Sequence, residues 1–285
     1  CFTDGNCKRG ARKGTCRNAG AKNASCEFPK DVKVPLTVVM PKRCPLCKVD
    51  KPVEFFKKQF PGLEVSYELY PGEKAEKLIA EAGIKTFPAF LFGKELERDP
   101  NFPDIKDKVD AAGNYYFFKP QYGGVAFFLG RKPAEGKIDV FLSLYDPSIT
   151  VLLDTLEEFN PEIHFLAARS EDNLVTAQGP AEVEEMLRSV CVKKYYPAVF
   201  WNYLDCRVRH ISSSWWEDCL GDLDGGKIKA CARGQEGRDL LSANIALTEE
   251  LAISSSPTYL VGNQHIFSSK QPPSKEEFRK IFSGR

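Results

Sequence analysis

The chain has 285 residues, of which 42% are hydrophobic, and its 40 lysines and arginines nearly balance its 39 aspartates and glutamates. This length predicts two domains rather than one, with enough apolar residues for a sizeable core. With a net charge near zero, no basic field points to a nucleic-acid partner, and no apolar run approaches the ~18 to 20 residues that cross a bilayer.

The ten cysteines fall into three groups, each with an even number. Such clusters, in a chain with three scattered histidines, predict disulfides formed in an oxidising compartment. Zinc is the alternative, but only Cys44 and Cys47 have the short spacing that a zinc site needs, so no metal is expected. We therefore predict an exported protein, periplasmic or extracellular. The cysteines predicted to form structural disulfides are Cys1, Cys7, Cys16, Cys26, Cys191, Cys206, Cys219 and Cys231.

Residues 1–30 are predicted to form a small cysteine-rich module. They contain almost no apolar residues, so two disulfides rather than a core would hold their shape. The cysteine pattern resembles small four-cysteine modules of exported bacterial proteins. The chain opens directly with Cys1 and no signal peptide, which indicates a mature product. A lipid anchor on Cys1, as in bacterial lipoproteins, is the alternative to a disulfide there.

From Val34 onward, strand and helix patterns alternate. Apolar β-branched runs indicate strands, and apolar residues three and four apart indicate helices. A CxxC motif follows the first strand, and an X-Pro step precedes the third. The predicted elements are strand 35–40, helix 49–60, strand 63–69, helix 73–82, strand 89–92 and strand 95–98.

The motif Cys44-Pro45-Leu46-Cys47 after a strand, followed later by Phe87-Pro88, resembles the thioredoxin and glutaredoxin family. The resemblance implies a thioredoxin-like domain over 34–112, with a central mixed sheet flanked by helices and no cofactor. It also implies that Pro88 is cis, and that the Phe87 backbone pairs with a substrate held as a short strand.

Disulfide exchange needs a thiolate and a nearby second thiol. We expect Cys44 to begin the helix, where unpaired N–H groups and the helix dipole favour a thiolate, with Lys42, Arg43 and Lys48 adding positive charge. Cys44 is then the nucleophile, and Cys47, one turn into the helix, is the resolving thiol. Pro45 suits the first helical turn. A static Cys44–Cys47 disulfide is the alternative.

Residues 113–136 are interpreted as an aromatic β-hairpin that connects the two domains. Tyr115 to Phe118 and Val125 to Leu129 form its strands, separated by Gly123-Gly124.

A repeat of the first pattern begins at Lys137 and continues through 137–285. The strand is 138–143, and Asp146 and Ile149 stand where the two cysteines of the first motif stood. We expect this site to be redox-inactive, with Asp146 as a helix N-cap. The remaining predicted elements are helix 151–159, strand 163–168, a closing hairpin of 254–261 with 265–267, and helix 274–282 with a Ser274–Glu277 capping box.

The repeat contains a helical insertion at about 179–252, which resembles the Dsb-type branch of the thioredoxin superfamily. Four cysteines in it allow three pairings, and we favour the nested one, Cys191 with Cys231 and Cys206 with Cys219. Ser256-Pro257 corresponds to Phe87-Pro88, so the resemblance implies a second peptide-binding edge there.

The sequence thus predicts an α/β protein of two thioredoxin-like domains and a small cysteine-rich module. The predicted function is that of an exported thiol-disulfide oxidoreductase, using Cys44, Cys47, Phe87 and Pro88. Its partners would be protein thiol or disulfide substrates and a redox partner protein. The alternative is a redox-inactive binding or structural subunit of a cell-envelope or extracellular assembly.

Overall fold

The computed structural model describes residues 1–10, 12–42, 44, 46–171, 173–269 and 273–283 of the chain. The chain divides into two compact units, residues 1–131 and residues 132–285. Each unit contains α-helices and a sheet with both parallel and antiparallel strands.

Unit 1 begins with short ribbons and continues as a sheet flanked by helices. Its strands are β1 (Lys8–Arg9), β2 (Arg12–Lys13), β3 (Thr15–Arg17), β4 (Ser25–Glu27), β5 (Val34–Pro41), β6 (Leu63–Tyr70), β7 (Thr86–Phe87), β8 (Ala89–Gly93), β9 (Val109–Ala112), β10 (Tyr115–Phe118) and β11 (Phe127–Phe128). Its helices are α1 (Asp50–Gln59), α2 (Glu73–Ala82) and α3 (Pro120–Gly123).

The main sheet of unit 1 has the order β6-β5-β8-β10-β9. Strand β5 is parallel to β6 and antiparallel to β8. Helix α1 buries Phe56 against one face of this sheet, where its ring meets Phe90, Phe92 and Phe118 edge-on, with centroids 5.4, 5.0 and 4.9 Å away. Edge-to-face aromatic contacts of this kind add to the apolar burial that holds the helix on the sheet.

Helix α2 has the bounds that the sequence predicts. Ala75, Leu78 and Ala82 are buried at three- and four-residue spacing, so one face of the helix packs on the sheet. Gly83 ends the helix in the left-handed conformation, with φ of 63°, which glycine adopts without steric cost.

The predicted fourth strand at 95–98 is wrong. Residues Lys94–Arg98 form a 3-10 helix that buries only Leu96. Charged residues are poor strand formers, and the strand beside β8 is instead the aromatic β10. The prediction of a connector hairpin within 113–136 is also wrong, because β10 forms its hairpin with the preceding strand β9 and not with 125–129.

The first segment of unit 1 is held by two disulfides, Cys1–Cys16 and Cys7–Cys26. Cys7 is 1% exposed, whereas the strands β1 to β4 are otherwise partly or fully exposed. An ion pair of 3.0 Å joins Lys13 to Asp104 in the rest of the unit. This segment therefore depends on covalent links more than on a core of its own.

Unit 2 contains a sheet and a group of helices. Its strands are β12 (Ile138–Leu142), β13 (Glu162–Phe165), β14 (Ala168–Ser170), β15 (Asn173–Val175), β16 (Thr258–Val261) and β17 (His265–Ser268). Its helices are α4 (Ile149–Leu156), α5 (Pro180–Tyr195), α6 (Phe200–Arg209), α7 (Gly225–Arg233), α8 (Gln235–Glu250) and α9 (Lys275–Ser283).

The sheet of unit 2 repeats the strand arrangement of unit 1. Strand β12 is parallel to β13 and antiparallel to β16, and β16 is antiparallel to β17. The same directions relate β5 to β6 and β8, and β8 to β10. In both units, therefore, two parallel strands are followed in the sheet by an antiparallel strand and then by the strand that pairs antiparallel with it.

Helices α5 to α8 lie between β15 and β16 in the chain and are joined by two disulfides. Cys191 of α5 is bonded to Cys231 of α7, and Cys206 of α6 is bonded to Cys219 in a 3-10 turn. This is the nested pairing. A buried ion pair adds to these links, because Arg207 Nε lies 3.0 Å from Glu185 Oε2 and both side chains are 2% exposed.

Helix α9 begins with the predicted capping box. The Ser274 N–H donates to Glu277 Oε2 over 2.8 Å, and the Glu277 N–H donates to Ser274 Oγ over 3.2 Å. Within the described part of the chain, every helix is either too short or too polar to span a bilayer.

Candidate functional site

The CxxC motif lies in a turn that follows β5. Cys44 and Cys47 form a disulfide, with their Cα atoms 5.3 Å apart, and the Cys47 N–H donates to the Cys44 carbonyl over 3.1 Å. Cys44 is half-buried and Cys47 is 7% exposed. The more accessible member of the pair is therefore the predicted nucleophile. Arg43 and Pro45 lie outside the described residues.

The expectation that Cys44 begins a helix is wrong. Helix α1 begins at Asp50, so neither cysteine lies within it. The reason is Pro52, which occupies the first turn of α1. A helix that began at Cys44 would place this proline in its interior, where it lacks the N–H of the ladder and clashes with the preceding turn. The N-terminal helix dipole is thus centred near Asp50 rather than at Cys44.

The Phe87-Pro88 bond is cis, and both residues are buried. Strand register brings this bond to the motif, because Ala89 pairs with Val39, close to the end of β5. Cys47 and Phe87 belong to one apolar cluster, which Cys44 adjoins. The structure therefore brings together the predicted residues of the first site.

The backbone edge at Phe87 is paired with the chain itself. We name residues 126–129 the closing segment. The Ala126 N–H donates to the Phe87 carbonyl over 2.8 Å, and the Leu129 N–H donates to the Lys85 carbonyl over 2.8 Å. The Phe127 ring stacks on Phe87 with centroids 6.2 Å apart. An incoming strand at this edge would have to displace the closing segment.

The turn between β12 and α4 in unit 2 contains Asp146 and leads to Ile149. Ile149 is fully buried at the start of α4. The predicted N-cap role of Asp146 is wrong, because Ser148 holds the N-cap position, and its side chain accepts no capping hydrogen bond from the described backbone of α4. Asp146 Oδ1 instead accepts hydrogen bonds from the Ser148 N–H at 2.9 Å and from its hydroxyl at 2.7 Å. A short polar side chain that bonds two residues ahead forms such a turn in place of a cap.

The second predicted X-Pro step is also cis, between Ser256 and Pro257. Ser256 Oγ accepts a hydrogen bond from the Ser143 N–H over 3.0 Å. Thr258, the next residue, pairs with Phe141 of β12. Ser256 and the Asp146 turn are thus both found where β12 ends.

A cavity of about 570 Å³ opens between these two features, a size typical of ligand pockets. Its wall includes Asp146, Pro147 and Ser256, which the sequence singled out, and Glu182, which it did not. The signal for Glu182 was weak, since a glutamate in the first turn of a helix is ordinarily exposed. Only the folded helix α5 brings it to the cavity.

No protein-family model matches the chain, and no curated protein matches it. Among solved structures, the chain is similar to the thiol-disulfide exchange protein alpha-DsbA2 from Wolbachia pipientis, at 12% identity over 54% of this chain and 87% of that chain, with a TM-score of 0.41. It is also similar to reduced DsbA1 from Neisseria meningitidis, at 15% identity over 55% and 89%, with a TM-score of 0.40. Oxidised BdbD from Bacillus subtilis covers 54% of this chain and 96% of its own at 11% identity and a TM-score of 0.39. The similarity to DsbA proteins therefore extends over about half of this chain.

Proposed function

We propose that the chain is an exported thiol-disulfide oxidoreductase that exchanges disulfides with protein substrates through Cys44 and Cys47. The observation that carries the proposal is their disulfide in the turn between β5 and α1, with a half-buried Cys44 and a buried Cys47 in the apolar cluster that contains Phe87 of the cis Phe87-Pro88 bond. Exchange requires such a pair, one thiol to meet the substrate and a second to resolve the mixed disulfide.

The exchange step starts from the oxidised pair. A substrate thiolate attacks Sγ of Cys44, the Cys44–Cys47 bond breaks, and Cys47 leaves as a thiolate. A second thiolate of the same substrate then attacks the substrate sulfur of the mixed disulfide, and Cys44 leaves as a thiolate. The substrate loses two electrons and becomes a disulfide, while the chain gains both electrons as a dithiol. A partner protein with a disulfide of its own returns the chain to the oxidised form.

The remaining assignments follow from this proposal. The proposal includes two thioredoxin-like domains, over 34–112 and 137–285, and the strand arrangement that recurs in both units supports it. Phe87 and Pro88 would hold the substrate near Cys44 once the closing segment is displaced. Five disulfides in one chain favour a periplasmic or extracellular location.

The test is a titration of the full chain with dithiol buffers of graded potential, followed by alkylation and mass spectrometry of the Cys44 peptide. We expect reduction in the range of thiol-disulfide oxidoreductases, about −120 to −270 mV. Cys47→Ser should accumulate a mixed disulfide with a peptide that contains a disulfide, because Cys44 attacks that bond, releases one peptide cysteine as a thiolate and has no second thiol to resolve the product, and Cys44→Ser should not. Equal trapping by both variants would contradict the assigned roles.

A second candidate is a redox-inactive binding or structural subunit of an envelope or extracellular assembly. The occupied Phe87 edge and the loss of both cysteines at Asp146 and Ile149 favour it. In that case, the Cys44–Cys47 disulfide would resist reduction to potentials below about −300 mV, as structural disulfides do.

A further inference from the structure

The cavity of unit 2 has two carboxylates in its wall. Glu182 is 1% exposed, and its Oε1 accepts a hydrogen bond of 2.6 Å from the Ser143 hydroxyl. Asp146 is half-buried, and the hydrogen bonds that it accepts from the described residues come from Ser148 to Oδ1. Neither carboxylate forms an ion pair with a lysine, arginine or histidine among the described residues.

The missing counter-charge matters because burying an ionised carboxylate without an opposite charge costs free energy. The other buried carboxylates of unit 2 have one. Asp139 is bonded by Lys137 and His164, and Glu185 by Arg207. Glu182 has a neutral hydroxyl instead, and it faces a cavity large enough for a ligand. A cation in the cavity would supply the charge that the chain does not.

The rest of the wall is mainly apolar. Leu166, Ala167, Val175 and Ile253 line the space beside the carboxylates. Apolar walls with a charged end fit a ligand that has a methylene stem and a charged head, as lysine and arginine side chains have.

A metal ion fits the cavity less well. Calcium takes six to eight oxygen ligands, and magnesium requires octahedral coordination. Among the described residues, no third Asp, Glu, His or Cys joins Asp146 and Glu182 at metal-ligand spacing.

We propose that this cavity binds an organic cation, an alkylammonium or guanidinium group on a short methylene stem, with Glu182 and Asp146 as its counter-charges. The residues that line this site all belong to unit 2, and the proposal does not depend on Cys44 or Cys47.

The test is calorimetric titration of the full chain with agmatine and with 1,5-diaminopentane. The neutral probe 1-pentanol has the same stem without the charge and is expected not to bind. Glu182→Gln and Asp146→Asn keep an acceptor oxygen for Ser143 and Ser148 and remove the charge. Each should weaken binding about tenfold or more, as expected for losing a charged hydrogen-bond partner. Glu157→Gln, an exposed site of the same unit, removes the same charge and should leave affinity unchanged.

Two further arms complete the design. Acetyl-Ala-Lys-Ala-amide presents the same cation on a peptide, so tighter binding than that of 1,5-diaminopentane would assign the site to a lysine side chain, and weaker binding to a free amine. Cys44→Ser/Cys47→Ser should bind as the wild type does. Equal affinity for 1-pentanol and the diamine would overturn the proposal. So would undiminished binding by both Glu182→Gln and Asp146→Asn, with folding verified by circular dichroism.

Discussion

Asp139 and Glu182 are both buried carboxylates of unit 2, and they differ in their partners. Asp139 Oδ1 lies 2.8 Å from His164 Nε2 and 3.0 Å from Lys137 Nζ. Burial acts to raise the pKa of Asp139, but the hydrogen bonds and charges of His164 and Lys137 outweigh it, so its pKa is lowered. His164 Nδ1 in turn contacts the Asn244 carbonyl at 2.8 Å, which fixes the ring. The aspartate is thereby held as an anion inside unit 2.

The lowered pKa of Asp139 makes the stability of unit 2 sensitive to acid. An aspartate with a lower pKa in the folded state binds fewer protons than its unfolded form below pH about 4, so its contribution to stability disappears as pH falls further. Asp139→Asn should lower the free energy of unfolding by about 2 kcal/mol at pH 7. The difference between wild type and variant should shrink at pH about 3.

Tryptophan fluorescence during urea unfolding measures this effect, because all three tryptophans lie in unit 2. Glu157→Gln, at an exposed position, is the matched control and should change stability little at either pH. A difference between Asp139→Asn and wild type that stays constant from pH 7 to 3 would rule out the stated cause.

The start of α1 is decided by Pro52, a residue within the first turn. The apolar spacing of Val53 and Phe56 is enough to predict a helix, and the structure confirms one there. The spacing of apolar residues alone does not fix where a helix begins. The start also depends on the first residues, whose backbone N–H groups have no partner within the helix. Pro52 is the local signal for the start of α1, and it predicts that the helix begins after Cys44.

Local signals predicted α2 and the start of α9 well, since a cap and a terminating glycine act within a few residues. The closing segment is a different case. Its partners, Lys85 and Phe87, are about forty positions earlier in the chain, and Thr86–Phe87 is only two residues long. Pairing between such distant short strands depends on the folded sheet, so no pattern in 126–129 predicts it.

The hydrogen bond from Ala126 to Phe87 gives a test of the closing segment as a barrier to the dithiol. Ala126→Pro removes the donor N–H. If the segment limits access to Cys44, the loss of one hydrogen bond, about 1 kcal/mol, should speed reduction of the Cys44–Cys47 disulfide about fivefold. The measurement is the rate of thiol alkylation in a fixed dithiol buffer.

Ala126→Gly is the matched control, because it keeps the donor and removes only a methyl group. It should be reduced at nearly the wild-type rate. Reduction of Ala126→Pro no faster than that of Ala126→Gly would mean that the dithiol is reached without displacing the closing segment.

At the scale of the whole chain, the sequence predicted single motifs and elements better than the contacts between elements that are distant in the chain. Cys44 and Phe87 were identified because a short motif and an X-Pro step are visible in sequence. Glu182 was missed because its position at the cavity depends on α5 packing beside the turn that contains Asp146. Burial of a polar residue by distant elements is a tertiary effect, and helix periodicity alone does not encode it.

The two disulfides of the helical insertion differ in the length of chain that they close. Cys191–Cys231 spans 40 positions and Cys206–Cys219 spans 13. Chain entropy of the unfolded state then gives about 4 kcal/mol for the longer loop and about 3 kcal/mol for the shorter one. Cys191→Ala/Cys231→Ala should therefore destabilise unit 2 more than Cys206→Ala/Cys219→Ala, as measured by urea unfolding.

Burial strengthens this order, since Cys191 is fully buried and Cys206 is not. The loss of stability in Cys206→Ala/Cys219→Ala, the inner pair, is the reference against which the loss in the outer pair is compared. A larger loss from the inner pair would show that local packing, and not loop length, sets the contribution of each bond.

The nested bonds of the insertion also bear on cleavage of the backbone. A peptide bond cut by a protease between 207 and 218 lies inside both sulfur-linked loops. The two fragments would remain attached through two separate bridges, and the helices that carry them would stay anchored. Such a nicked chain would migrate as one species on a non-reducing gel and separate into two pieces only after thiol treatment.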